Sequence, residues 1–370
     1  MMNKAKSYGK RFAAIMVQPV IAALLGLLVG AVFIRLSHEN PIEIYRNMFE
    51  KSFFNPYYLT QTLTRATPII ICGIATAAAW RAGYINIGVE GQMVTGAFTA
   101  TIVAIYAPLP GFLRLPISLL SGVAAGGAYA TIVAVLNLKF NSSIVICTLM
   151  FNYVANYIAS YLVSFHFKDS SGDGLSLMTK TIPENTHFLQ FSASNTLNLG
   201  IVIAVAVVIL FYFMERKTVF GYESKMTGLN PDFSRYGGVF ERQVMLKTMA
   251  LSGAIAALAG MCEIFGYKYR YTDNMFGSAS YAWTGLMAAL IADLHPVGIL
   301  AASIFLAGLQ VGGQAIQRTS SIPLQMATVI QSSITLFVSV KLGIKLVKKQ
   351  RKKKCQDNGG QSNREGGGAA

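Results

Sequence analysis

Charge is scarce in this sequence. Asp, Glu, Lys and Arg make up 13% of its 370 residues, about half the share in an average soluble chain. Acids are the scarcer sign, 16 against 31 bases. With hydrophobic residues at 53%, a water-soluble fold has too little polar surface to cover its apolar bulk. Cytosolic, secreted and disordered proteins are therefore excluded, and lipid is the solvent for most of the chain. Cysteine and histidine are sparse as well, four of each. Cys72, Cys147, Cys262 and Cys355 form neither a CxxC nor a zinc-type spacing, which argues against a disulfide framework and a structural metal. His38 and Glu39 open a zincin-like pair, but Ile42 stands where the second histidine belongs. Neither GxxxxGK-S/T nor GxSxG occurs, so the chain lacks that route to ATP and that nucleophile turn. The sequence offers no catalytic residues, no metal ligands and no cofactor site of its own.

Apolar runs are abundant. A helix needs about 20 apolar residues to cross the hydrocarbon core. Runs suited to crossing lie at 13–34, 59–80, 85–106, 115–138, 143–165, 199–214 and 248–265, with further ones at 279–294, 297–310 and 323–347. They predict an all-α, polytopic transmembrane helical bundle of about ten spans, the second bent at Pro68. The first run is long enough to span and is followed by no cleavage site, so it reads as a span rather than a secretory leader. The net charge of +15 sits largely at the two ends. Lys4, Lys6, Lys10 and Arg11 precede the first run; Lys341, Lys345, Lys348, Lys349, Arg351, Lys352, Lys353 and Lys354 close the last. With those 12 set aside, 19 bases face 16 acids. Basic clusters beside terminal spans place both termini in the cytoplasm. No aromatics interleave them, which favours the lipid bilayer over nucleic acid as their partner. The expected layout is a basic N-terminus (1–12), a transmembrane domain (13–347) and a basic, disordered tail (348–370). The domain includes an extracytoplasmic loop (166–198) and a cytoplasmic segment (215–247). Gly26/Gly30, Gly122/Gly126 and Gly308/Gly312 are spaced four apart, a device that lets helices approach closely in lipid.

Three stretches carry candidate chemistry. At the head of the third span, RAGYINIGVEGQM (81–93) sets Asn86, Glu90 and Gln92 among three glycines. A carboxylate at membrane depth faces a cavity or a partner, and glycines permit the broken helices that build midplane sites. Either these residues line or gate the path of a solute, or Glu90 pairs with Arg81 and stabilises a helix N-terminus. In the fifth span Asn152 and Asn156 share one helical face, with Tyr153 and Tyr157 on the next. Amides and aromatics together can hold a neutral, flat, hydrogen-bonding solute; equally, they can bond and pack between helices. The third stretch runs from Gly228 to Gly238. Asn230 suits an N-cap, Pro231 the first helical position and Asp232 the positive helix end. A short capped helix there would present Phe233, Arg235 and Tyr236 to a partner protein.

NIGVEGQ (86–92), the following GAF (96–98), TLMFNY (148–153) and GYESKMTGLNPDFSRYGG (221–238) together resemble the permease subunit of ABC importers of the branched-chain amino acid/ribose/nucleoside type. NIGVEGQ is similar to the nucleoside, or simple-sugar, branch. The resemblance covers about 53–340 and implies a multi-pass permease of a prokaryotic plasma membrane, paired with a second permease subunit as homo- or heterodimer. It implies that a separate ABC ATPase subunit uses the ATP and docks on Gly228, Asn230, Pro231, Phe233, Arg235 and Tyr236. It further implies that an extracytoplasmic substrate-binding lipoprotein delivers cargo, and that transport proceeds by alternating access. The path is expected from the third and fifth spans: Asn86, Glu90, Gln92, Asn152, Tyr153 and Asn156. Several positions depart from the family pattern. Ile144 replaces an acid, Ser280, Ala282 and Thr284 stand where glycines and an acid are usual, Ala292 replaces a glycine, and Lys225 an arginine. Ribose and branched-chain amino acids are the alternative cargoes. An ion-coupled transporter using Glu90 and Asp293 is the rival mechanism, and a membrane enzyme would need a catalytic constellation that the sequence lacks.

Overall fold

The apolar runs within the described residues fold mainly as helix, because a backbone in lipid must satisfy its own N–H and C=O groups. The computed structural model describes residues 24–36, 38–170, 176–191 and 196–317, with a few helical positions between 325 and 336. The expected N-terminal segment 1–12, the start of the first span, most of the run at 323–347 and the tail 348–370 lie outside them. The chain divides into Tyr45–Ser320 and a terminal unit of Met1–Ile44 with Ser321–Ala370. In the terminal unit an apolar helix, α1 (Leu24–Leu36), is described. Asn40 then starts α2 (Pro41–Phe49), its side-chain oxygen accepting from the Ile42 N–H at 3.1 Å.

The larger unit continues through α3 (Pro56–Arg81), α4 (Val89–Tyr106), α5 (Gly111–Phe140), α6 (Ile144–Phe165), α7 (Gly200–Lys217), α8 (Val219–Leu229) and α9 (Pro231–Tyr236). There follow α10 (Glu241–Glu263), a π-helical turn (Ile264–Lys268), α11 (Met275–Ala279), α12 (Tyr281–Ile291) and α13 (Pro296–Gln317). Among the described residues, five helices are long and apolar enough to cross a membrane: α3, α5, α6, α13, and α10 extended by its π turn. α4 and α7 are 18 residues each; Glu90 and Gln92 open the first, and Glu215, Arg216 and Lys217 close the second. α12 has only 11 residues, about 16 Å of helix against a hydrocarbon core of about 30 Å. Pro68 is carried within an unbroken α3.

α3 and α10 are innermost, with 83% and 78% of their apolar windows buried, whereas α6 has 22% and is peripheral. α10 packs on α3, α4 and α5, while α3 also meets α7, α12 and α13. The spacing of Gly122 and Gly126 has a visible purpose. A Cβ on Gly126 would stand 2.7 Å from the Gly253 carbonyl oxygen and 2.7 Å from the Ala257 Cβ. One on Gly122 would stand 2.7 Å from the Gly96 carbonyl oxygen. Backbones therefore touch where α5 crosses α4 and α10, and dispersion replaces the hydrophobic drive that lipid removes.

One end of this unit gathers the C-termini of α3 and α7, all of α8 and α9, and the start of α10. Arg81 forms an ion pair with Glu215 there, and Tyr84 donates its hydroxyl to the Glu241 carbonyl at 3.2 Å. At the opposite end the polar stretch after α6 lies along the chain that follows α10. Thr179 N–H donates to the Tyr271 carbonyl at 2.9 Å, Ile182 N–H to Tyr269 at 2.8 Å and Phe188 N–H to Phe265 at 2.8 Å. His187 stacks on Tyr269 with ring centres 3.9 Å apart. Among its described residues this stretch holds a single short 3-10 turn, Glu184–Thr186, and isolated bridges in place of strands.

Candidate functional site

Between α3 and α4 the chain does not loop out. After a turn at Ala82 and Gly83 it re-enters the bundle as non-helical backbone, 84–87, before α4 begins. Asn86 is fully buried and donates to the Ser252 hydroxyl at 2.9 Å. Ser252 lies about 16 Å along α10 from Glu241 at 1.5 Å per residue. Backbone outside a helix at such depth must find partners among side chains. Asn86 and Gln92 exchange two amide hydrogen bonds, both 3.1 Å, and the Asn86 oxygen also accepts from the Gly88 N–H at 2.9 Å. Trp80 Nε1 donates to the Asn86 carbonyl at 3.0 Å. Thr148 Oγ1 accepts from the Ile87 N–H at 3.2 Å. Asn152 closes the set, donating to the Ile87 carbonyl at 3.0 Å and accepting from the Gly91 N–H at 2.8 Å. The Ser252 hydroxyl donates in turn to the Ala75 carbonyl at 2.7 Å. Asn86, Gln92 and Asn152 thus complete a broken backbone. Trp80, Thr148 and Ser252 share that work; a lone serine in an apolar helix gives no sequence signal of it.

Glu90 and Asn156 are different. The Asn156 amide donates to Glu90 Oε1 at 3.0 Å and to the Asn152 carbonyl at 3.1 Å, while its own Oδ1 is buried with no hydrogen-bond partner. Glu90 also faces α11, where a Cβ on Gly277 would stand 3.4 Å from its Oε1. The Glu90–Arg81 pairing allowed by the sequence does not form, since the Arg81 partner is Glu215. Asp293 lies beside Arg81, in the turn between α12 and α13 with φ +49°, so Glu90 and Asp293 are not brought together. Tyr153 and Tyr157 point away from the bundle, 56% and 73% exposed. They belong to the outer stripe of α6, opposite the buried Thr148, Asn152, Ala155 and Ala159.

The third stretch folds as read from its caps. The Asn230 side chain accepts from the Phe233 N–H at 3.2 Å and Pro231 opens α9. Ser234 turns inward, its hydroxyl 3.0 Å from that of Thr227. Phe233 and Tyr236 are left 58% and 93% exposed. Arg235 bonds Glu241 at 2.9 Å, and this hydrogen bond, then the charge itself, raises its already high pKa. Burial, with Glu241 adding, pushes the neighbouring Tyr84 phenol up to about 12. Gly228 rests on the carbonyl of Arg81, a place where no Cβ fits. α8, which carries the knob, is therefore seated directly on the end of α3. Burial, followed by Arg81 and Arg216, holds His295 below the usual imidazole range.

Crossing helices, a re-entrant backbone with a buried carboxylate and an exposed capped knob define a polytopic membrane protein. Residues 58–339 match the family described as branched-chain amino acid transport system / permease component, and the chain belongs to that family, whose members work with an ABC ATPase. A guanosine ABC transporter permease protein of Bacillus subtilis is 31% identical over 93% of this chain and 99% of its own length. A nucleoside ABC transporter permease protein of Lactococcus lactis subsp. cremoris is 29% identical over 89% and 92%. A glucose ABC transporter permease protein of Haloferax volcanii is 30% identical over 86% of each.

Proposed function

We propose that this chain is the nucleoside-conducting permease of an ABC importer, set in a prokaryotic plasma membrane with its Arg81 end in the cytoplasm. The observation that carries the reading is α9: a six-residue capped helix that is carried on α8, whose Gly228 rests on the end of α3, and that leaves two aromatic side chains in water. A mere connector gains nothing from such exposure, whereas a docking surface does. The ATPase binds there, and its movement reaches α3 through Gly228 and Arg81. About ten spans with both termini cytoplasmic, a second permease subunit and an extracytoplasmic binding lipoprotein complete the reading. The Phe233→Ala/Tyr236→Ala variant is expected to insert normally, since neither side chain is buried. Its affinity for the ATPase subunit should fall about 30-fold or more, the cost of losing aromatic anchors. Co-purification from membranes checks this, and undiminished recovery of the ATPase overturns it.

Glu90 and Asn156 are proposed to meet the cargo, the buried Asn156 oxygen being the acceptor left unused in the protein alone. Asn86, Gln92 and Asn152 flank that path. Glu90→Gln keeps the side chain's shape and its bond to Asn156 while removing the charge. Uptake of tritiated guanosine by cells carrying it should drop about tenfold, in keeping with the loss of one charged hydrogen bond. Unchanged uptake would reduce Glu90 to a packing group.

A further inference from the structure

A second polar space lies apart from Glu90 and Asn156. It is a cavity of about 300 Å³ lined by Tyr57, Gln61, Thr64, Arg65, Thr196, Glu263, Tyr267, Tyr281, Val311 and Gln314, in the Tyr269 half of the larger unit. Its walls come from places where helices are irregular. Tyr267 belongs to the π turn after α10. Tyr281 opens α12 directly after Ser280, whose φ of +54° breaks α11 from α12. A π turn inserted into a helix shifts side chains out of regular packing and recurs at functional sites.

The lining is polar, and its charges balance. Arg65 is the one base and Glu263 the one acid among these residues. Glu263 accepts from the Tyr281 hydroxyl at 3.0 Å and makes no ion pair with Arg65. Arg65 Nε is buried and has no hydrogen-bond partner. An unmet guanidinium donor inside a membrane protein is costly unless something occupies the space before it. Thr64 and Thr196, 3.2 Å apart, and the amides of Gln61 and Gln314 add donors and acceptors, and three tyrosines add ring faces. Such a set disfavours a net ion and suits a neutral ring bearing several hydroxyls. The volume, at the lower end of the roughly 300–1,000 Å³ usual for ligand sites, suits one small solute.

We propose that this cavity is a second cargo site, holding a neutral, hydroxyl-bearing ring solute of nucleoside size between Arg65, Glu263 and the tyrosines. The choice of a nucleoside rests on the function proposed above; the cavity's polarity and neutrality do not. Cargo entering at the Tyr269 end would halt here before reaching Glu90.

The test uses the full-length chain assembled with its ATPase in lipid nanodiscs, with Gln314→Cys as a reporter and the unaltered chain as background. A water-soluble maleimide should label the introduced thiol. Guanosine at about ten times its dissociation constant should slow labelling roughly tenfold, because about nine-tenths of the sites are filled. Adding Arg65→Met should raise the guanosine needed for protection about tenfold or more, whereas adding Glu90→Gln should leave protection intact. A thiol that never reacts, or reacts at one rate with and without guanosine, overturns the proposal. If guanosine uptake by the parent transporter persists in that case, only the cavity assignment falls. If uptake is absent too, the nucleoside reading falls with it.

Discussion

The Gly126→Val variant is expected to reach the membrane but fail to form a stable bundle. The position already has Gly253 backbone and the Ala257 methyl where a Cβ would go, and neither is the free end of a flexible chain. α5 must then move off α10, and every contact along that crossing loosens. Overpacking of this kind costs about 3 kcal/mol or more, a large part of a typical domain's total stability. Thermal denaturation in detergent, followed by size-exclusion recovery, should show little folded protein. Gly127→Ala is the internal control: its nearest neighbour is the Ala250 carbonyl at 3.1 Å, with the next atoms at 3.7 Å and beyond. That variant should lose less than about 1 kcal/mol. Equal loss in the two would mean that the crossing does not depend on close backbone approach.

Asn152→Leu is expected to have the second largest effect. Leucine nearly fits the space, so volume is not at issue. The Ile87 carbonyl loses its donor and the Gly91 N–H its acceptor. Each buried backbone group left alone costs about 1–3 kcal/mol, or about 2–6 kcal/mol together. Asn156→Leu, one turn further along α6, removes a bond to Glu90 but strands no backbone N–H, and it also deletes an oxygen that has no partner. It should cost under half as much stability while impairing uptake. Denaturation midpoints of the two variants, measured side by side, decide the matter; similar midpoints would contradict the division between backbone support and cargo contact.

Much of this fold was legible as composition and run length, because lipid leaves few ways to satisfy a backbone. The caps of α9 were legible too, since Asn230, Pro231 and Asp232 act on their own neighbours. What could not be read was pairing at a distance. Asn152 serves residues 61 and 65 positions away, and Ser252 serves one 166 away; periodicity says which face a residue occupies, not what lies opposite. Glu90 has one sequence neighbour of opposite charge, Arg81, yet Arg81 sits at the end of α3 and is taken by Glu215. The break at Ser280 was also hidden, because a serine with positive φ leaves no mark of the sort glycine does. Tyr153 shows the same limit: an aromatic on an apolar helix reads alike whether it faces a path, a partner or lipid.

The hydroxyl of Ser252 receives from Asn86 and gives to Ala75, so one small side chain rivets α3, α10 and the head of α4 together at mid-height. A transport cycle that keeps this rivet must treat those three as a stator, with α6, held by one face alone, outside it.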